Sequence, residues 1–314
     1  MAAETGSKGP RLLITGCRGQ VGTELVRSLA PLGQVIALDR SRADLTDPAG
    51  LRCLLDDLRP DVILNAAAYT AVDSAEDEEE LAYAVNGTAP AVLAAAAARQ
   101  GSLLVHYSTD YVFDGSGSTP WREEDVPAPR SVYGRSKLAG EQAVQASGAR
   151  YFIFRTCWVY ADHGHNFLKT ILRLAGDGPA LKVVSDQTGS PTPAALVAAV
   201  TAQVLAQVLA APERAAFGLY HLAAGGYTSW HGFAVEILRQ AQALGMGLQA
   251  GPQDVTAIRT DDFQLAAVRP ANSRLDTTRL RQTFGLTLPD WQAGIAPVLD
   301  RLRAGVASQE RIEA

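Results

Sequence analysis

Tyr133 and Lys137 stand four residues apart in "SVYGRSKLAGE" (131–141), in a chain that has only four lysines among its 28 basic residues. On a helix, residues i and i+4 are neighbours, so the phenol and the ammonium share one face. Reducing a carbonyl builds negative charge on its oxygen, and a phenol can supply the proton. A free phenol, with a pKa near 10, holds that proton too tightly at neutral pH. An ammonium beside it favours the phenolate and lowers the pKa, as does the positive ring of an oxidised nicotinamide. A lysine also meets ribose hydroxyls as a compact point charge, which the broad fork of an arginine does less well. Ser108 or Thr109, in "STD" (108–110), can hydrogen-bond the carbonyl oxygen and fix its position. The plainer use of the same spacing is a tyrosine packed on a lysine stem.

Gly16, Gly19 and Gly22 form "GCRGQVG" directly after the apolar run "RLLITG" and at the start of a helical pattern. Such a turn lets backbone approach a pyrophosphate closely, and the helix N-terminus behind it favours the anion. Asp39 closes the second apolar run about twenty residues on, where an acid can hold the ribose hydroxyls of NAD. Arg40 follows it and could instead meet the 2′-phosphate of NADP, so both NADH and NADPH stay open, with a slight lean to NADH.

These groups need a frame, and the chain alternates strand and helix patterns as far as about residue 160. Apolar runs at 11–16, 34–39, 61–68, 102–110 and 150–160 are separated by amphipathic stretches. Continuous apolar strands of this kind predict a parallel sheet covered on both faces, a doubly wound α/β fold of Rossmann type. Its ligand is expected at the carboxyl ends of the strands, over a topological switch point. Residues 11–160 are expected to form the dinucleotide-binding domain, with 182–224 returning to it. Residues 161–181 and 225–304 are expected to form a smaller substrate domain, and 1–10 and 305–314 tails. The long aperiodic connection 114–131 is expected to be functional or disordered.

A formal charge of −5 and a pI near 5.6 argue against a broad nucleic-acid or anionic-membrane surface. The N-terminus lacks the apolar core of a signal peptide, and the Ala-rich stretch 89–98 is too short to span a bilayer. Cys17, Cys53 and Cys157 suggest neither a disulfide framework nor a zinc site, and the expected location is the cytoplasm. No G-x-S-x-G elbow accompanies His106, Ser108 and Asp110, so hydrolysis is set aside. His163 and His165 lack a third ligand and read as loop histidines.

Taken in order, the glycine turn, the strand-end Asp39, "NAAA" (65–68), the Ser/Thr pair and Tyr-x-x-x-Lys resemble the extended branch of the short-chain dehydrogenase/reductase superfamily. The blocks "ILNAAAYTAVDSAE", "HYSTDYVFDG", "VYGRSKLAGE", "FRTCWVYADHGHNF", "SDQTGSPT" and "RPANSRLDT" narrow that resemblance to the dTDP-4-dehydrorhamnose reductases, from residue 11 to about 303. The resemblance implies reduction of the C4 keto group of dTDP-4-dehydro-β-L-rhamnose with NADH or NADPH. It implies Thr109, Tyr133 and Lys137 as catalytic groups. Gly16, Gly19, Gln20 and Val21 are implied at the pyrophosphate, Asp39 at the ribose, Asp44 and Leu45 by the adenine, and Ala66 and Ala67 beneath the dinucleotide. Asp110, Tyr111 and Trp158 are implied at the sugar, Asn166 and Arg269 at the diphosphate, with Asn272 and Ser273 nearby. Some relatives are linked to magnesium through clustered glutamates; Glu24 is present here without obvious acidic partners, and no metal is expected. A dTDP-sugar is the expected partner, with the chain a monomer or homodimer. Two other readings remain: a regulatory subunit of the methionine adenosyltransferase type, and another nucleotide-sugar 4-ketoreductase or epimerase.

Overall fold

The computed structural model describes residues 9–262 and 266–313, with side chains as far as residue 304. Its central sheet has six strands: β1 (Arg11–Thr15), β2 (Gln34–Leu38), β3 (Val62–Asn65), β4 (Leu103–Thr109), β5 (Arg150–Thr156) and β6 (Gly218–His221). The spatial order is β6-β5-β4-β3-β1-β2. β1 pairs in parallel with both β2 and β3, and β3 with β4. The order reverses beside β1, which makes the carboxyl ends of β1 and β3 the switch point where such sheets take ligands. Every residue of β3 and β4 is buried, as continuous apolar runs require in a sheet covered on both faces.

The chain divides into two compact units. The first contains the chain through Ser108, Val132–Phe154 and Ala198–Tyr220. Its core gathers Leu13, Leu38, Ile63 and Leu104 from the sheet with Leu51, Leu55, Leu93 and Val144 from the helices. The helix Pro48–Leu58 starts cleanly because Asp47 accepts the N–H groups of Ala49 and Gly50 and Pro48 opens the first turn. The helical run Glu79–Gln100 is long and apolar enough to cross a bilayer by composition, yet 56% of its most apolar window is buried in the protein. A π-turn at Ala84–Thr88 interrupts the run at Gly87.

The second unit contains Thr109–Ser131, Arg155–Val197 and the chain from His221 onward. Its core joins Leu168, Ile171, Phe233, Ile237, Trp291, Ile295 and Leu299. This division differs from the predicted one. Residues 109–131 cluster with the second unit because Trp121 exchanges backbone hydrogen bonds with Arg274 and Asp276. The strand Leu181–Val184 does not return to the central sheet; it pairs in parallel with Val255–Ile258. The helix Ile295–Glu313 continues through most of the stretch expected to be a C-terminal tail.

Candidate active site

At the end of β1 the chain turns on Gly16, whose φ of +67° lies in the left-handed region that favours glycine. A Cβ there would stand 2.7 Å from the Cα and N of Ala67, so the two backbones touch with nothing between them. The helix Gln20–Leu29 starts at Gly19 and no side chain caps it, which leaves its N-terminal dipole available to an anion. Gly16, Arg18, Gly19, Asp39, Arg40, Ser41 and Asp44 line one cleft of about 630 Å³. These features fit a dinucleotide: close backbone approach at the turn, an uncapped helix start and a carboxylate at the end of β2.

Gly22 holds this turn together. A Cβ at Gly22 would lie 2.1 Å from the Gly16 carbonyl oxygen, a backbone atom that cannot swing aside. Gly22→Ala is therefore expected to cost about 1–3 kcal/mol of stability, the scale of an overpacked site. It should also weaken dinucleotide affinity by about tenfold or more, or about 1.4 kcal/mol. Thermal melting and NADH fluorescence titration check both; native values in both would remove the turn from the cofactor site.

The Asp39 carboxylate accepts the hydroxyl and the N–H of Ser41 and pairs with Arg18 at 3.5 Å. The Ser41 hydroxyl first, with Arg18 adding to it, holds the carboxyl below its ordinary range. Arg40 is exposed beside it. Asp44 is exposed and bonds Thr46, whereas Leu45 is buried at 6% exposure in the core with Leu38 and Leu51. The Leu45 side chain is thus part of the core. Gln20, Val21, Ala66 and Ala67 are half-buried about the turn and the end of β3.

Tyr133 and Lys137 lie on the helix Val132–Ala146. The Tyr133 ring packs against Ala75, Ala82 and Val132, while Lys137 is 2% exposed and donates from Nζ to the Tyr107 carbonyl at 2.6 Å. Burial pulls the Lys137 pKa down to about 8, with the Glu141 carboxylate opposing. The ammonium is still the dominant form at neutral pH, in surroundings where its field is little screened.

Local pattern does not reveal the groups that hold this helix. Asn86, in the π-turn, donates to Ser136 Oγ and to the Tyr69 carbonyl and accepts the Tyr69 N–H. Gly140 packs so closely on the same turn that a Cβ would meet the Asn86 carbonyl at 2.1 Å. Across the sheet, Thr15 donates to Asn65 Oδ1 at 2.8 Å, and Asn65 Nδ2 donates to His106 Nδ1 at 3.1 Å. Burial keeps His106 neutral, and the strand register aligns the three in a row.

In the second unit, Thr109 ends β4 and Asp110 follows it into a short 3-10 turn; both are buried. Tyr111 is half-buried there and donates its N–H to Thr109 Oγ1. Trp158 has a left-handed φ of +49°, rare for a bulky residue, and stacks on Trp230 at 3.6 Å between ring centroids. Arg269 is half-buried three residues before Asn272.

Asn166 and Asn272 both clasp the backbone around them. Asn166 caps the helix Phe167–Asp177 by accepting the Lys169 N–H, and its amide donates to the Ala161 and His163 carbonyls. Asn272 donates to the Ser116 and Thr119 carbonyls and accepts from the backbone N–H and Nε of Arg274. All four hydrogen-bonding positions of that amide are taken. With the Trp121 ring stacked on Phe113 and Glu123 accepting the His221 N–H, they make residues 114–131 a tied strap.

The profile of the RmlD substrate binding domain family matches residues 10–304. The dTDP-4-dehydrorhamnose reductase of Shigella flexneri is 48% identical, covering 93% of this chain and 97% of that protein. The crystal structure of a Clostridium acetobutylicum dTDP-4-dehydrorhamnose reductase superposes with a TM-score of 0.84 at 37% identity, covering 93% of this chain and 99% of that one. The Bacillus anthracis reductase, solved in complex with NADP, gives a TM-score of 0.84 at 34% identity over the same shares. By sequence and by fold, the chain belongs to the dTDP-4-dehydrorhamnose reductase family.

Proposed function

We propose that this protein reduces the C4 keto group of dTDP-4-dehydro-β-L-rhamnose to give dTDP-L-rhamnose, in the cytoplasm, using NADH or NADPH. The observation that carries the reading is Lys137, buried and fixed one helical turn from Tyr133. A buried ammonium is costly to keep without a task. The glycine turn, the uncapped helix start and Asp39 hold the dinucleotide, which supplies a hydride to C4 when bound. Thr109 holds the keto oxygen, Tyr133 gives it a proton, and Lys137 steadies the negative charge left on the phenol and meets the nicotinamide ribose. Asp110, Tyr111 and Trp158 face the sugar, and Arg269 serves the diphosphate. Intact Thr109, Tyr133 and Lys137 and the reductase relatives favour this enzyme over a regulatory subunit.

The test is consumption of NADH or NADPH with enzymatically prepared dTDP-4-dehydro-6-deoxy-L-mannose. Turnover to dTDP-L-rhamnose supports the reading; cofactor binding without turnover sinks it. The ionised Asp39 carboxylate suits ribose hydroxyls and repels a 2′-phosphate. Asp39→Ala is therefore expected to move the kcat/KM ratio towards NADPH by about tenfold. An unchanged ratio would take Asp39 out of cofactor selection.

A further inference from the structure

Thr109 has one hydroxyl proton, and two recipients compete for it. Its Oγ1 accepts the Tyr111 N–H at 3.2 Å and lies 3.1 Å from Oδ1 of Asp110. If Asp110 is ionised, only Thr109 can be the donor in that contact, and its proton points at the carboxylate. If Asp110 is protonated, the direction reverses. The acid donates, Thr109 accepts on its remaining lone pair, and the hydroxyl proton is free for a keto oxygen.

We propose that Asp110 is a positioning residue whose proton aims the Thr109 hydroxyl at the substrate carbonyl. The inference rests on the reading of Thr109 as the group that holds the keto oxygen. Asp110 is 2% exposed, and its Oδ2 meets no hydrogen-bond partner among the described residues. An acid proton placed on Oδ2 finds no acceptor, so it belongs on Oδ1, facing Thr109. The buried Ser273 hydroxyl also bonds the carboxyl, and no cation pairs with it among the described residues. Among the described residues, the titratable group facing Asp110 is the buried Cys157 thiol, which burial keeps protonated and uncharged. Burial lifts the Asp110 pKa to about 6, so its charge changes within the working range of an enzyme. The neutral acid helps a second way: it places no negative charge beside an oxygen that is becoming negative.

The test is kcat/KM against pH, from about pH 5 to about pH 8.5, for the native protein, Asp110→Asn and Thr109→Val. Native kcat/KM is expected to fall as pH rises through about 6, towards a floor set by Asp110 ionisation. That floor should lie about a hundredfold lower, the scale of one lost oxyanion donor. In Asp110→Asn the amide donates at every pH, so the fall disappears. In Thr109→Val there is no hydroxyl to aim, and the rate is low without that limb. Persistence of the native fall in either variant overturns the inference, and Thr109→Val decides the matter if Asp110→Asn does not fold. Absence of turnover by the native protein at every pH overturns the proposed function itself, while NADH fluorescence confirms that the fold is intact.

Discussion

Tyr133→Phe is expected to lower the rate of dTDP-4-dehydro-sugar reduction by at least about a hundredfold, the scale of general-acid catalysis. The substitution removes one oxygen and keeps the ring, which packs against Ala75, Ala82 and Val132 beside Tyr69 and Tyr83. The helix Val132–Ala146 is held elsewhere, by Asn86 on Ser136 and by Gly140 on the π-turn, so the loss is chemical and not a loss of fold. Without the phenol, the proton must come from water, with a pKa near 15.7, far above that of a phenol beside an ammonium. Steady-state cofactor oxidation beside a melting curve separates the two causes. A variant that keeps more than about a tenth of native turnover shows that another group supplies the proton, because general-acid effects do not fall that low.

What the sequence reveals and conceals follows from how local each feature is. The glycine turn, the strand-end Asp39 and the Tyr133–Lys137 pair depend on neighbours within a few residues, and apolar periodicity places them on the right elements. Registers are different. The row Thr15–Asn65–His106 exists because β1, β3 and β4 align side by side, which no single strand's pattern announces. The same holds for the unit division: "PWREED" carries no sign that Trp121 bonds Arg274 and Asp276 across more than 150 residues. Resemblance implies Asn166 and Asn272 near the substrate but does not announce that Asn166 caps a helix or that the Asn272 amide is saturated by its own chain. Leu45 shows the same limit, since the resemblance does not announce that its side chain joins the core with Leu38 and Leu51.

Lys137→Met is expected to abolish most reductase activity, by about a hundredfold or more, while making the folded protein more stable at neutral pH. The sign follows from linkage. Burial lowers the Lys137 pKa from its ordinary 10.5 to about 8, so the unfolded chain binds its proton more tightly than the folded one. The folded protein carries the full penalty below pH 8, loses it progressively between the two values, and carries none above 10.5. The depression corresponds to roughly 3 kcal/mol, and the bond to the Tyr107 carbonyl returns part of it. Lys137→Met removes both, leaving a net gain of about 1 kcal/mol near pH 7. Its stability relative to native should then fall by about 2 kcal/mol on going to about pH 10, where the native lysine sheds its penalty. Denaturant unfolding of both proteins at the two pH values measures this. A variant that is less stable at both, by the same amount, shows that the ammonium sits there without strain. The combination expected here, stability gained and activity lost, is the signature of a charge kept buried for its chemistry: the field that costs the fold is the one that makes a phenol give up its proton.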